Sequence, residues 1–168
     1  GGSIKYSEDD ILATERGDDP YNHSYLNWAN EVYKPTYITQ HTLNLTGGSE
    51  IGRYLVSFDY LDQPGLVKNT EYQRYSYCVN TDLNIGKMLK VSSDVTYRHV
   101  DRLWPESLGS VQYDVWSMQP TSPVRYENGD YRLDKQNRNA ISLMDLDVVG
   151  EDRYNMDVVY GQVKADFE

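Results

Sequence analysis

Side chains that often carry chemistry are present in this sequence, but they are not spaced for catalysis. The histidines His23, His41 and His99 stand apart, with no H-E-x-x-H, C-x-x-C or G-x-S-x-G pattern around them. Because 26 of the 168 residues are acidic, neighbouring carboxylates such as Glu151 and Asp152 arise by chance and do not indicate a glycosidase pair. We therefore expect no enzyme activity, no catalytic residue, no cofactor and no metal site.

Aromatic residues in a long polar stretch are better suited to binding than to catalysis. Their rings can stack on the apolar face of a sugar or seat against another protein. Packing of the stretch around its own small apolar cluster is the other explanation. Five residues are the candidates for substrate contact: Trp104, Tyr113, Trp116, Tyr126 and Tyr131.

The elements that must position these rings are strands. Apolar and polar residues alternate with a period of two from residue 37 onward, which predicts an antiparallel meander of about five long strands in an all-β fold. The tight turn at residues 47–50 joins the first two strands. The predicted strands lie near 37–46, 53–62, 71–82, 88–99 and 154–168, with a long outer loop over 100–153.

The first 36 residues follow a different pattern and precede the strands at 37–168. Ser7, the acidic residues after it and Gly17 predict a short helix within an outer loop that leads into the sheet. The acidic pair Asp18 and Asp19 lacks the spacing of a calcium-binding loop and indicates a solvated turn.

The predicted strands have lengths and connections that are typical of a membrane β-barrel. They run for about 9 to 12 residues, whereas soluble strands average about 5 or 6. Short and long connections alternate, as they do in outer-membrane barrels. Tyrosines cluster at the strand ends near the longer loops, as expected of an aromatic girdle: Tyr37, Tyr60, Tyr72, Tyr75, Tyr97 and Tyr154.

Each strand then has one apolar face toward lipid and one polar face toward the barrel lumen. Because the net charge is −10, the chain is not expected to bind nucleic acid. The charged residues expected to face the lumen are Arg53, Asp59, Arg74, Lys90, Asp94 and Arg98.

Several segments resemble a known family of outer-membrane proteins. The run L-N-L-T-G-G-S-E at 43–50, the run S-F-D-Y-L-D-Q-P-G-L-V-K-N-T at 57–70 and the segment M-Q-P-T-S-P-V at 118–124 are similar to the early barrel of SusC/RagA-type TonB-dependent transporters. The similarity extends over most of the chain and is strongest from residue 43 to residue 98.

The resemblance implies import of a glycan or peptide across a bacterial outer membrane. It implies that this chain is an incomplete, unclosed part of a large transmembrane β-barrel, forming wall and extracellular loops. The implied partners are the lipid bilayer, the remaining barrel and plug, TonB through an N-terminal part outside this chain, and a SusD-like surface lipoprotein. A soluble carbohydrate-binding β-sandwich is the alternative.

Overall fold

A computed structural model describes residues 6–17 and 19–167. Asp18 of the predicted acidic turn and Glu168 of the predicted fifth strand lie outside the described residues. The chain divides into two compact units, a sheet unit of residues 36–65, 70–103 and 153–168 and a loop unit of residues 1–35, 66–69 and 104–152.

Five antiparallel strands form one open sheet in the order β1-β2-β3-β4-β5, so neighbours in sequence are neighbours in the sheet. Within the described residues β1 and β5 are the two edges, and no second sheet packs on the first. The predicted antiparallel meander is therefore confirmed. The described residues do not form the two packed sheets of the alternative β-sandwich. The strands are β1 Thr39–Gly48, β2 Gly52–Pro64, β3 Glu71–Ile85, β4 Leu89–Pro105 and β5 Glu151–Phe167.

The pairing register separates the sheet into two chemically different faces. Directly paired residues share a face, and side chains alternate between faces along a strand. One face, here called the apolar face, is ordered in rows. A row of His41, Tyr60, Tyr75 and His99 lies above a row of Leu43, Phe58, Tyr77 and Tyr97, and the next row is Leu45, Val56, Val79 and Val95.

The rings of the upper two rows touch one another across the strands. The ring centroids of Tyr60 and Tyr75 are 4.9 Å apart, and those of Phe58 and Tyr77 are 5.0 Å apart. Side chains on this face stay accessible, with Tyr77 47% exposed. These rings therefore pack against one another within the sheet, and their outer side stays accessible in the described part of the chain.

The apolar face holds three of the six tyrosines of the predicted girdle, and a fourth, Tyr37, precedes β1, which begins at Thr39. Tyr60, Tyr75 and Tyr97 lie on the apolar face, but Tyr72 pairs with Arg102 and belongs to the opposite face. Tyr154 also lies on that opposite face, beneath the Arg102 guanidinium at 5.1 Å from the ring centroid. The prediction grouped tyrosines by strand end alone, whereas the period of two decides which face each side chain takes.

Helices and the buried core belong to the loop unit. Its α-helices are α1 Glu8–Arg16, α2 Trp28–Val32, α3 Leu108–Ser117 and α4 Leu146–Val149, with a 3₁₀ turn at Ser142–Met144. No helix among the described residues is long and apolar enough to cross a membrane. The core residues are Trp28, Val32, Val111, Val115, Met118, Ala140 and Met144.

The short N-terminal helix is confirmed where the sequence predicted it. Ser7 is the N-cap, and its Oγ accepts a hydrogen bond from the Asp10 backbone N–H at 3.1 Å. The Asp10 carboxylate accepts in return from the Ser7 backbone N–H at 2.9 Å, which completes a capping box. Gly17 ends the helix with φ of 69°, a conformation that glycine adopts at little cost.

Candidate functional site

The polar face of the sheet is the first candidate site. The register places on this one face all six residues that the sequence analysis assigned to the lumen: Arg53, Asp59, Arg74, Lys90, Asp94 and Arg98. The structure thus brings these charges onto a common surface, and the orientation of that surface toward a barrel lumen stays a prediction.

Asp59 is the most connected group on the polar face. Its Oδ2 accepts hydrogen bonds from Gln40 Nε2 and Thr42 Oγ1, each at 2.8 Å, and its Oδ1 accepts from Arg74 Nη2 at 3.0 Å. Three adjacent strands are therefore linked through one carboxylate. Because a carboxylate accepts charge-assisted hydrogen bonds strongly, this contact fixes the local orientation of the polar side chains.

The polar contacts continue toward the tight turns. Asp82 accepts a hydrogen bond from Ser92 Oγ at 2.6 Å and lies 3.7 Å from Lys90 Nζ. Ser57 Oγ donates to Asn44 Oδ1 at 2.7 Å. Among the described residues, this face therefore presents mixed charges together with hydroxyl groups.

The five aromatic candidates for substrate contact fall into two groups in the loop unit. Trp104 and Tyr131 are engaged by carboxylates, since Trp104 Nε1 donates to Asp152 and Tyr131 OH donates to Asp145, each at 2.6 Å. Burial and the Asp145 carboxylate raise the pKa of Tyr131. Tyr126 packs near the Arg132 guanidinium at 5.5 Å.

Tyr113 and Trp116 form the second group and project from α3. They are 68% and 74% exposed, while Val111 and Val115 on the other side of the same helix enter the core. Trp116 lines a cleft of about 330 Å³ together with Tyr25, which is 75% exposed, and Pro120. Tyr25 was not among the sequence-based candidates, because nothing in the local pattern connects residue 25 with α3.

Long-range hydrogen bonds hold the segments of the loop unit together. Trp28 Nε1 donates to the Gln119 carbonyl at 3.0 Å, and the Leu26 N–H donates to the Pro120 carbonyl at 2.8 Å. Asn139 is 1% exposed, and its amide donates to the carbonyls of Val124 and Arg132 at 2.8 and 2.9 Å. These contacts give the aromatic residues a folded support.

A polar cavity of about 290 Å³ lies between two segments of the loop unit, 117–123 and 132–138. Arg138 bridges to Asp134 through Nε at 3.0 Å and Nη2 at 2.8 Å. Burial alone would raise the pKa of Asp134, but hydrogen bonds from Arg138 hold it below its ordinary value. Asp114, buried on α3, has its pKa raised by desolvation against the opposing charge of Arg138.

Metal binding finds no support in the residues that the structure describes. Within 6–17 and 19–167, no three His, Cys, Asp or Glu side chains are grouped so as to hold an ion.

An open, all-antiparallel sheet with one polar face and one banded apolar face is consistent with a segment of a β-barrel wall. The chain is similar to two proteins from Formosa agariphila. The chain is 29% identical over 114 residues to TonB-dependent receptor P26 and 30% identical over 99 residues to TonB-dependent receptor P3. The matches include 67% and 55% of this chain.

These similarities support a relationship between this chain and the TonB-dependent receptor family. The matched regions span only 11% and 10% of the two relatives, so the chain corresponds to about a tenth of their length. No protein-family profile matches the chain.

Proposed function

We propose that this chain forms part of the wall and extracellular loops of a TonB-dependent transporter in a bacterial outer membrane. The observation that carries the proposal is the register. Three rows of paired residues keep aromatic and aliphatic side chains on one face, while Arg53, Asp59 and Arg74 occupy the other. Such alternation matches a wall between lipid and a polar lumen.

The open edges supply the second argument. Among the described residues, β1 pairs only with β2, and β5 follows only β4 in the sheet order. Unpaired edges on a long sheet invite association with further strands, and a barrel abolishes such edges by closure. We infer that the remaining strands of the transporter pair with β1 and β5.

Site-directed spin labelling along β3 tests the two-face arrangement. In the full-length protein in lipid vesicles, a Cys78→Ser background would carry single nitroxides at successive positions from 75 to 82. Labels at odd positions, such as Tyr77 and Val79, should collide more with oxygen, which concentrates in lipid. Labels at even positions, such as Ser76 and Asn80, should collide less with oxygen and, where water reaches them, more with a water-soluble nickel complex. Accessibility that does not alternate with position would overturn the proposal.

The subtype and cargo are also proposed. The motifs around 43–70 favour a SusC/RagA-type transporter that imports a glycan or peptide, with a plug and TonB outside this chain. Uptake of a fluorescent oligosaccharide and of a matched-size fluorescent peptide should be compared in cells with and without the intact transporter. If deletion of the transporter gene changes the uptake of neither compound, both proposed classes of cargo are ruled out.

A SusD-like surface lipoprotein is the proposed partner of the loop unit. The supporting observation is that Tyr113 and Trp116 project 68% and 74% exposed from a helix whose opposite side is packed. Exposed Trp and Tyr residues commonly anchor protein interfaces. Co-purification with the lipoprotein should weaken in Trp116→Ala and persist in Ser110→Ala, since Ser110 is an exposed residue on the same helix.

A further inference from the structure

We propose that the polar cavity between segments 117–123 and 132–138 binds a small hydroxylated molecule carrying one oxyanion group, such as a carboxylate or sulfate. The cavity measures about 290 Å³, close to the lower limit of ordinary small-molecule sites. It lies wholly within the loop unit. The proposal concerns binding alone and goes beyond the transport function.

The lining is polar, which differs from the usual apolar pocket and indicates a polar ligand. Its residues supply hydroxyl and amide groups from one side and charged groups from the other. The neutral hydrogen-bonding residues are Ser117, Gln119, Thr121, Ser122 and Gln136. Ser117 Oγ already donates to the Tyr113 carbonyl at 2.9 Å, Thr121 Oγ1 is hydrogen-bonded to a tyrosine hydroxyl, and Gln136 Oε1 accepts from Arg138. A bonded hydroxyl keeps acceptor capacity and an amide keeps its N–H donors, so the lining can still bind hydroxyl groups of one compact ligand.

The single carboxylate in the lining is already satisfied. Asp134 Oδ1 accepts from the backbone N–H groups of Gln136 and Arg138 at 2.8 and 2.9 Å, and Oδ2 accepts the two guanidinium contacts of Arg138. Arg138 also lies near the Asp114 carboxylate, whose negative charge burial disfavours. The positive charge of Arg138 is therefore already offset by the carboxyl groups of Asp134 and Asp114.

Two cations of the lining are not compensated in this way. Arg132 donates to the neutral Tyr21 carbonyl at 2.7 Å and lies over the Tyr126 ring. Lys135 is exposed at the cavity and forms no ion pair with any described carboxylate. In a chain with a net charge of −10, two such cations at one polar cavity select for an anionic group on the ligand.

Binding can be measured by titration calorimetry on the full-length protein in detergent, with D-glucuronate as probe and D-glucose as its neutral match. We expect glucuronate to bind, glucose to bind at least tenfold more weakly, and Lys135→Gln to weaken glucuronate binding by about tenfold. Inorganic sulfate tests the oxyanion part of the ligand without the hydroxylated part. Sulfate should bind more weakly than glucuronate because it lacks hydroxyl groups.

The matched control is Lys87→Gln, which removes an exposed lysine from the tight turn between β3 and β4. It should leave glucuronate binding unchanged. Because Lys135 is exposed, its replacement is not expected to unfold the loop unit, and near-ultraviolet circular dichroism would verify this. Equal affinity for glucose and glucuronate, no binding of glucuronate, or equal effects of the two lysine variants would each overturn the proposal.

Discussion

Replacing Val79 by arginine tests the assignment of the apolar face to lipid. Val79 lies on the central strand of the sheet, paired with Val56 and Val95. On β4, ten residues or about 33 Å separate His99 from Leu89, which pairs with Ile85, and a strand tilt near 40° reduces this span to about 25 Å across the membrane. Val79 pairs with Val95 and therefore lies near the middle of this span.

An arginine near the middle of the hydrocarbon layer of a membrane barrel costs about 2 to 4 kcal/mol. Val79→Arg should therefore lower the free energy of unfolding by that amount, which is roughly a 30- to 900-fold change in the unfolding equilibrium. The measurement is urea-induced unfolding of the full-length protein in lipid vesicles, followed by tryptophan fluorescence and by the heat-dependent shift of the folded band on gels.

Asn80→Arg is the matched control because Asn80 is adjacent in sequence and belongs to the polar face, paired with Asp94. The new guanidinium would lie beside carboxylate and hydroxyl groups, so the expected cost is below about 1 kcal/mol. If Asn80→Arg destabilises the protein as much as Val79→Arg, or more, the two faces do not meet different media and the reasoning fails.

Three further predictions concern individual contacts. Gly47→Ala should lower the free energy of unfolding by about 1 kcal/mol, because a Cβ at Gly47 would lie 2.6 Å from Cζ of Tyr54, the paired residue whose ring covers this position. Asn139→Ala should destabilise the loop unit by about 3 kcal/mol and speed its limited proteolysis, because four hydrogen bonds of a buried amide are lost. Asp114→Asn should flatten the pH dependence of loop-unit stability. Since burial raises the pKa of Asp114 above 3.8, the native protein loses stability as pH rises from 3.8 through the raised value, and thermal melts across that range would show the slope.

Each of these variants has a control and a contrary outcome. Gly109→Ala meets no atom within 4 Å and should leave stability unchanged or slightly higher, so an equal loss there would discount the Tyr54 contact. Asn30→Ala replaces an exposed amide on α2 and should not alter proteolysis. If the melting temperature of Asp114→Asn depends on pH as steeply as that of the wild type, another group is responsible for the slope.

The strand pattern was predictable from sequence because its cause is local. Alternation along β2 and β3 decides which side chains share a face, and the meander follows once short and intermediate turns join neighbouring strands. The N-terminal helix was predictable for the same reason, since Ser7 and Gly17 act within one or two turns of chain.

The loop unit was less accessible to sequence reasoning because its contacts join distant residues. The sequence around Trp28 does not indicate that its indole donates a hydrogen bond to the Gln119 carbonyl. No sequence motif marks the cavity cations Arg132 and Lys135, and Tyr25 lines the same cleft as Trp116 although the two residues are far apart in the sequence. Burial and tertiary hydrogen bonds, not periodicity, determine these positions.

The construction of the loop unit from three separate segments limits how this surface can change. Residues before β1, between β2 and β3, and between β4 and β5 all contribute, and the Asn69 amide donates to the Met144 carbonyl at 2.8 Å while Trp28 contacts Gln119. Loop grafting that replaces one segment would remove hydrogen-bond partners from the other two. A recipient transporter should therefore accept this surface as a set of three inserts, and variation at one segment should be accompanied by compensating changes in the others.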